Sequence, residues 1–223
     1  NGYAAAPVCA PSRYSIQFGK TAARVKRTIA RGPNYADHDQ VGLAQYLKMI
    51  NPEYLCAHLG KWHIDADPAR YGYDLHDGLT KNKEGNFHND NHKLQWNGYA
   101  EEDPKRVDSL TDRTIDFIED ALEQERPFYV QLSHYAVHSD LVYSQDSYMQ
   151  MLIEGSGSVH KNVSYAAMVM DLDKSIGKLL EAYEALGLSE NTYIIFTSDN
   201  GGMPVLPIQV NRGRPYKQGL NSP

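Results

Sequence analysis

The sequence predicts an α/β fold, a mostly parallel central sheet flanked by helices on both faces and truncated at both ends. Three observations predict it. Residues 54–59, 128–133 and 192–197 are short apolar runs with the length and β-branched or aromatic content of buried strands. Between them lie amphipathic helical stretches, and alternating strands and helices imply right-handed βαβ units and a parallel sheet. The chain's 223 residues, 41% of them hydrophobic, are enough to bury a core.

Taken in order, Asp37 or Asp39 can cap a helix that runs to Ile50, with Val41, Ala44, Leu47 and Met49 or Ile50 inward, and Pro52 stops it. The run Tyr54-Leu55-Cys56-Ala57-His58-Leu59 is then a strand, ended by Gly60. From Asp65 to Pro104 the periodicity fails among Gly, Asn, Asp and His, so residues 65–104 read as an irregular loop or insertion, of the kind that is usually functional. Ser109 or Thr111 can cap a helix with Ile115, Ile118, Ala121 and Leu122 inward, closed by Arg126-Pro127 before the strand Phe128 to Ser133. A short helix around Ser147 to Ile153 follows. A long one then runs from about Tyr165 to Leu186, with Val169, Leu172, Ile176, Leu179, Leu180 and Tyr183 inward and Gly187 as its stop. Thr192 to Thr197 is the clearest strand of the three.

Composition excludes several classes. Against 22 Lys plus Arg stand 28 Asp plus Glu, a formal net charge of −6, which argues against a protein that works by neutralising nucleic-acid phosphates. The run Lys20, Arg24, Lys26, Arg27, Arg31 reads as a solvated face. No stretch approaches the roughly 20 apolar residues that span a bilayer. Cys9 and Cys56 could form at most one disulfide, so this is no stapled scaffold. The ends, Asn1-Gly2-Tyr3 and Asn221-Ser222-Pro223, read as cut from a longer protein, with no signal peptide in between.

In parallel sheets, ligands sit beyond the carboxyl ends of the strands. Those ends read Gly60-Lys61-Trp62-His63, then His134-Tyr135-Ala136-Val137-His138, then Ser198-Asp199-Asn200-Gly201-Gly202. Each delivers polar or titratable groups to one edge, where burying unpaired charge for structure alone would be costly. Upstream, Pro7-Val8-Cys9-Ala10-Pro11-Ser12-Arg13 sets a cysteine near a cation that would favour its thiolate; a buried, inert Cys is the plainer reading. Taken singly, Lys61 reads as a surface lysine and Asp199-Asn200-Gly201 as a turn. His88 and His92 have the spacing of a metal pair but lack a helix to present them. Trp62 and Tyr135 read as packing residues, and His134 as a strand-end cap or supporting residue.

Together the segments Cys9-x-Pro11-Ser12-Arg13 with Gly19-Lys20, Gly60-Lys61-Trp62-His63, Ala136-Val137-His138 and Thr197-Ser198-Asp199-Asn200-Gly201-Gly202 resemble, in order, the motifs of the formylglycine-dependent sulfatases of the alkaline phosphatase superfamily. The resemblance is weakest across residues 65–104. It implies that residues 1–223 are a partial catalytic domain, and that a maturation enzyme oxidises Cys9 to formylglycine. One oxygen of the hydrated aldehyde would attack the sulfur of a sulfate ester, and loss of the second hydroxyl's proton would expel sulfate. By the same resemblance Asp199, Asn200 and residue 9 would hold a divalent cation, Ca²⁺ before Mg²⁺. Arg13 would orient the diol, Lys61 would bridge diol and sulfate, His63 would take the proton that triggers release, and His138 would bind sulfate near the leaving oxygen.

The sequence departs from the family pattern in three places. The paired aspartates expected upstream of the cysteine motif, with the strand that carries them, are absent. The expected Arg-Gly-x-Lys segment reads Asn211-Arg212-Gly213-Arg214-Pro215-Tyr216-Lys217, so either Arg214 or Lys217 would contact sulfate. Phe18 stands where the signature has Thr. The implied function is hydrolysis of an organic sulfate ester, possibly on a carbohydrate, in the periplasm, outside the cell or in a lysosome. The alternatives are a formylglycine-type phosphodiesterase or phosphonate monoester hydrolase, or a silent relative that binds sulfated ligands. Residues 1–223 are expected to have little activity alone.

Overall fold

A computed structural model describes residues 4–22, 24, 39–88, 98–158 and 161–202. Its centre is a three-stranded parallel sheet in the order β2-β1-β4, made of Leu75–His76, Leu55–Gly60 and Phe128–Ser133. Register pairs Leu55 with Phe128 and Gly60 with Ser133, so both long strands end together. The expected strands at 54–59 and 128–133 therefore form within a residue of their predicted limits. The loop expected at 65–104 is less irregular than its composition suggests. It returns to the sheet as β2, where Asp74 Oδ2 accepts from the Cys56 backbone N–H at 2.8 Å, and it holds β3, Tyr99–Ala100, which pairs with β5, Val142–Tyr143.

Alternation along the strands assigns the two faces. Cys56, with Tyr54 and Tyr129, faces an aromatic core of Tyr14, Phe18, Trp62, Tyr71 and Tyr73 under α1, Cys9–Phe18, and α2, Leu43–Ile50. Leu59, Val130 and Leu132 face Leu110 of α3, Val107–Glu123. Helices thus cover both faces, as predicted. α4, Gln145–Glu154, and α5, Val163–Ala185, pack beyond α3.

Several boundaries and faces differ from expectation. α2 starts only at Leu43, where the Gln45 side chain accepts the Gly42 backbone N–H at 2.9 Å; Asp37 lies outside the described residues. Of its expected inward residues Ala44 is buried, while Val41, Met49 and Ile50 are exposed. α3 begins at Val107, ahead of both expected caps, because the preceding turn orders Arg106 directly into the helix. α4 and α5 are capped by Ser144 and Asn162, whose side chains accept from Ser147 N and Tyr165 N.

The buried side of α5 is Ala167, Met168, Asp171 and Ser175, whereas Val169 and Leu180 are exposed. Close packing against α3 and the start of α4 selects small residues and hydroxyl-to-carboxylate pairs over bulk there. Gly187 closes the helix at φ 68°, the left-handed stop expected of it. The expected third strand forms no ladder among the described residues. Tyr193 is 96% exposed and Ile195 86%, so neither a neighbouring strand nor a buried face stabilises residues 192–197 as β structure. Among the described residues no helix is long and apolar enough to cross a membrane.

Candidate active site

Four segments meet at the carboxyl ends of β1 and β4. α1 begins with Cys9, and Arg13 follows at i+4, so both lie on one helix face. The Arg13 Nε–H donates to Asp199 Oδ2 at 2.9 Å, and its Nη1–H donates to the Lys61 backbone carbonyl. The Cys9 side chain lies near enough to Lys61 to favour its ammonium. Direct contacts thus join Arg13, Lys61 and Asp199, which are far apart in sequence, with Cys9 one helical turn before Arg13.

Gly60 makes the approach possible. Its φ is 91°, and a Cβ there would lie 2.2 Å from the Ser133 carbonyl oxygen, so only glycine lets β1 leave the sheet this close to β4. The Lys61 N–H then donates to the same carbonyl at 2.8 Å. His63 adopts the left-handed region at φ 58°, its backbone N–H donating to Thr80 O at 2.9 Å, while Trp62 N donates to Thr80 Oγ1. A side chain held in that sparsely populated conformation by the surrounding bonds is a common mark of functional sites.

Charge dominates the cluster. Lys61 is 3% exposed, and burial, reinforced by Arg13, lowers its pKa while Cys9 and Asp199 oppose the shift. Burial and then Lys61 push His63 down to about 3; the same two causes push His138 down to about 4. Both imidazoles are therefore neutral near pH 7. The Nδ1–H of His138 donates to Ser139 O at 2.7 Å in that state, which leaves Nε2 as the free ring nitrogen. The His63 Nδ1 is buried without a hydrogen-bond partner. Buried cations beside neutral imidazoles form a pocket that stabilises an anion.

Other candidates stand apart. Asn200 donates Nδ2 to Gly201 O at 2.8 Å, next to Asp199 in sequence, and its side-chain oxygen remains a possible donor to a cation. His88 lies 3.6 Å from Glu101 and is mostly exposed. His92, Arg214 and Lys217 lie outside the described residues. His134 does not cap its strand: both ring nitrogens are buried without a hydrogen-bond partner, and burial pushes its pKa down to about 4. Trp62 and Tyr135 are buried packing residues, Trp62 donating Nε1–H to Ala66 O at 2.7 Å. Phe18 belongs to the aromatic core, 4.5 Å from the Tyr14 ring centroid. Sequence reading missed Thr80, which fixes the Trp62–His63 turn, because nothing in a stretch rich in turn residues distinguishes it. It also missed Asp77, whose Oδ2 accepts the Gly60 N–H at 2.7 Å.

A family model described as Sulfatase matches residues 1–222. The chain belongs to the sulfatase family. Among curated relatives, an ulvan-active sulfatase of Formosa agariphila is 26% identical over 244 residues, covering 98% of this chain and 45% of the relative. The N-acetylgalactosamine-6-sulfatase of Mus musculus is also 26% identical, over 254 residues, covering 99% and 45%. Among solved structures, Ps i-CgsB in complex with k-i-k-neocarrahexaose superposes with a TM-score of 0.71 at 25% identity, covering 97% of this chain and 53% of that one. The chain thus spans about half the length of the curated relatives it matches.

The sulfatase residues present suit a hard divalent cation in part. Asp199 and Asn200 offer oxygen donors, and one Asp199 oxygen is engaged by Arg13. Among the described residues no three or more His, Cys, Asp and Glu side chains converge on one point. A Ca²⁺ ion takes about six to eight oxygens, so Asp199 and Asn200 can supply only a fraction of its shell.

Proposed function

We propose that the whole protein hydrolyses an organic sulfate ester on a carbohydrate, with residue 9 matured to formylglycine by a dedicated enzyme and with Ca²⁺, or less readily Mg²⁺, at Asp199 and Asn200. The observation that carries this reading is the contact set Lys61–Arg13–Asp199 with Cys9 one helical turn before Arg13, which brings two buried cations to one side chain at a sheet edge. When present, the hydrated formylglycine supplies an oxygen nucleophile and the cation offsets developing charge.

The chain's own residues do the rest. Arg13 bridges the helix that carries residue 9 to Asp199, holding nucleophile and metal side in register. Lys61, dehydrated and adjacent to residue 9, places a point charge where ester oxygens would sit. His63 is kept neutral and so can accept a proton at the stage where sulfate leaves. His138 is neutral before substrate binds, and a bound sulfate beside its Nε2 favours the imidazolium; it then donates toward the leaving oxygen. Arg214 or Lys217 completes the sulfate contacts. We further infer that the protein works outside the cytosol, in the periplasm, outside the cell or in a lysosome, as its family suggests.

The test is mass spectrometry of the residue 9 peptide from the full-length protein coexpressed with a maturation enzyme, paired with turnover of an aryl sulfate and a sulfated sugar. Formylglycine at residue 9 with sulfate release is expected. An unconverted thiol, with equal activity in Cys9→Ala, overturns the mechanism. Turnover of phosphate diesters or phosphonates without sulfate esters would make the protein a hydrolase of those esters instead.

A further inference from the structure

An aromatic ring stands against His138. The Phe87 and His138 rings meet edge to face, with centroids 6.2 Å apart and planes at 72°. Such a contact occupies at most one face of the Phe87 ring, whichever ring supplies the edge, so at least one face is left uncovered by the imidazole. Phe87 is also only half-buried. The ring is held in place by the residues on either side of it. A Cβ at Gly85 would lie 2.2 Å from the Cβ and Cγ of Tyr135, so the 3-10 turn Lys83–Gly85 packs directly on the segment that leads from β4 to His138. Asn86 Nδ2 donates to Asp103 O at 3.3 Å, and the Tyr99 hydroxyl donates to Asn86 O at 2.6 Å. On the other side the His88 backbone N–H donates to Asp140 Oδ2 at 3.2 Å, two residues beyond His138.

The chemistry of sulfate release gives Phe87 no task, yet its position suits another one. Arg13 and Lys61 recognise charge, which every sulfate ester carries, so they cannot tell one alcohol from another. His138 bonds Ser139 O through Nδ1 and keeps Nε2 for the leaving oxygen. A hydrogen bond of about 2.8–3.0 Å there brings the first carbons of the alcohol to the imidazole, beside the ring that packs on it. A pyranose presents a face of C–H groups, and an aromatic face can take that surface out of water without needing a hydrogen bond. An acyclic alcohol has no such face to offer.

We propose that Phe87 is a specificity-determining residue whose uncovered face stacks on the C–H face of the sugar ring that leaves as the alcohol. The inference rests on the sulfatase reading above and on the place of His138 in it, and it adds the shape of the substrate: cyclic alcohols are selected over acyclic ones. Because the stacked ring is the same before and during reaction, the contact acts on binding more than on the chemical step.

The test uses the full-length, matured protein with a panel of monosaccharide sulfates and with 2-hydroxyethyl sulfate, an acyclic ester whose alcohol has a neighbouring hydroxyl, as a sugar's does. The wild type is expected to favour the best pyranose sulfate over the acyclic ester by at least about tenfold in kcat/KM. Phe87→Leu keeps apolar bulk but has no flat face. It should raise KM for that pyranose about tenfold with kcat changed less than about twofold, and leave kcat/KM for the acyclic ester unchanged. Phe87→Tyr should stay near the wild type. Equal kcat/KM on cyclic and acyclic esters in the wild type overturns the proposal even if variants at residue 87 fail to fold. So does a Phe87→Leu protein that matches the wild type, or one that loses kcat alike on both esters, which would mark support of His138 or of the fold instead of a substrate contact. If no sulfate ester turns over at all, the sulfatase reading fails by itself. Calorimetric titration of the same pyranose sulfates into full-length Cys9→Ala and Cys9→Ala/Phe87→Leu then decides Phe87: tighter binding with Phe87 present supports the stacking role, and equal or absent binding overturns it.

Discussion

Two buried polar regions of this molecule obey opposite rules. Where α5 meets α3 and the start of α4, buried polar groups find partners inside the protein. Asp171 accepts the Ser144 backbone N–H at 2.7 Å and its hydroxyl at 2.6 Å, and Ser175 donates to Val107 O at 2.9 Å while contacting Thr111. At the ends of β1 and β4, Arg13 and Lys61 are buried cations, and ring nitrogens of His63 and His134 lack hydrogen-bond partners. The first region is saturated and lends stability. The second keeps unspent hydrogen-bonding and electrostatic capacity, which a substrate and a cation can use.

The sharpest way to break this contrast is at the site. Replacing Cys9 by Ala, or Lys61 by Ala, in the full-length protein should cost on the order of 10³-fold or more in kcat, while thermal melting shifts little. A variant that keeps its rate removes these residues from the chemistry. Metal removal comes next: exhaustive chelation should abolish turnover, and Ca²⁺ should restore it better than Mg²⁺. Chelated protein at full activity would leave Asp199 and Asn200 without a metal role.

In the saturated region the expected effects reverse. Asp171→Ala strands the Ser144 donors and should destabilise the fold by about 2–3 kcal/mol in denaturant melts, with kcat per folded molecule unchanged. A large loss of kcat would show that the two regions are coupled. The smallest effect concerns pH. Burial holds His58 down to about 3, so the folded state rejects a proton that the unfolded chain accepts below about 6.5. Its contribution is full above about pH 6.5 and is lost as pH falls toward 3, at up to roughly 1.4 kcal/mol per pH unit. Melts between pH 7 and 5 should show the decline, to which His63, His134 and His138 add their own shares, and His58→Gln should make it shallower.

Much of this was legible before any fold was known. The strands at 55–60 and 128–133 announce themselves by apolar runs bounded by Gly60 and Pro127, and the span of α5 by its periodicity and Gly187. The helix Cys9–Phe18, which puts Cys9 and Arg13 on one face, was not among the elements that periodicity marked. What periodicity misjudged is which side of α5 is buried. An amphipathic pattern ranks residues by hydrophobicity, whereas Ala167, Asp171 and Ser175 are buried because a neighbouring helix comes close and supplies partners. Residues 192–197 show the same limit, since strand composition cannot provide the adjacent strand that makes a ladder.

By itself the sequence determined the local units and the order of the charged segments, because the periodicity that favours helix or strand acts over a few residues. Only the tertiary structure decided that Arg13 reaches Asp199 across the sheet edge and that a Cβ on Gly60 would lie 2.2 Å from the Ser133 carbonyl oxygen. It also decided that Lys61, which taken singly reads as a surface lysine, is 3% exposed and that the Trp62–His63 turn is held by Thr80. Contacts between distant segments depend on how elements pack, and burial makes the charge of an ordinary lysine costly to keep.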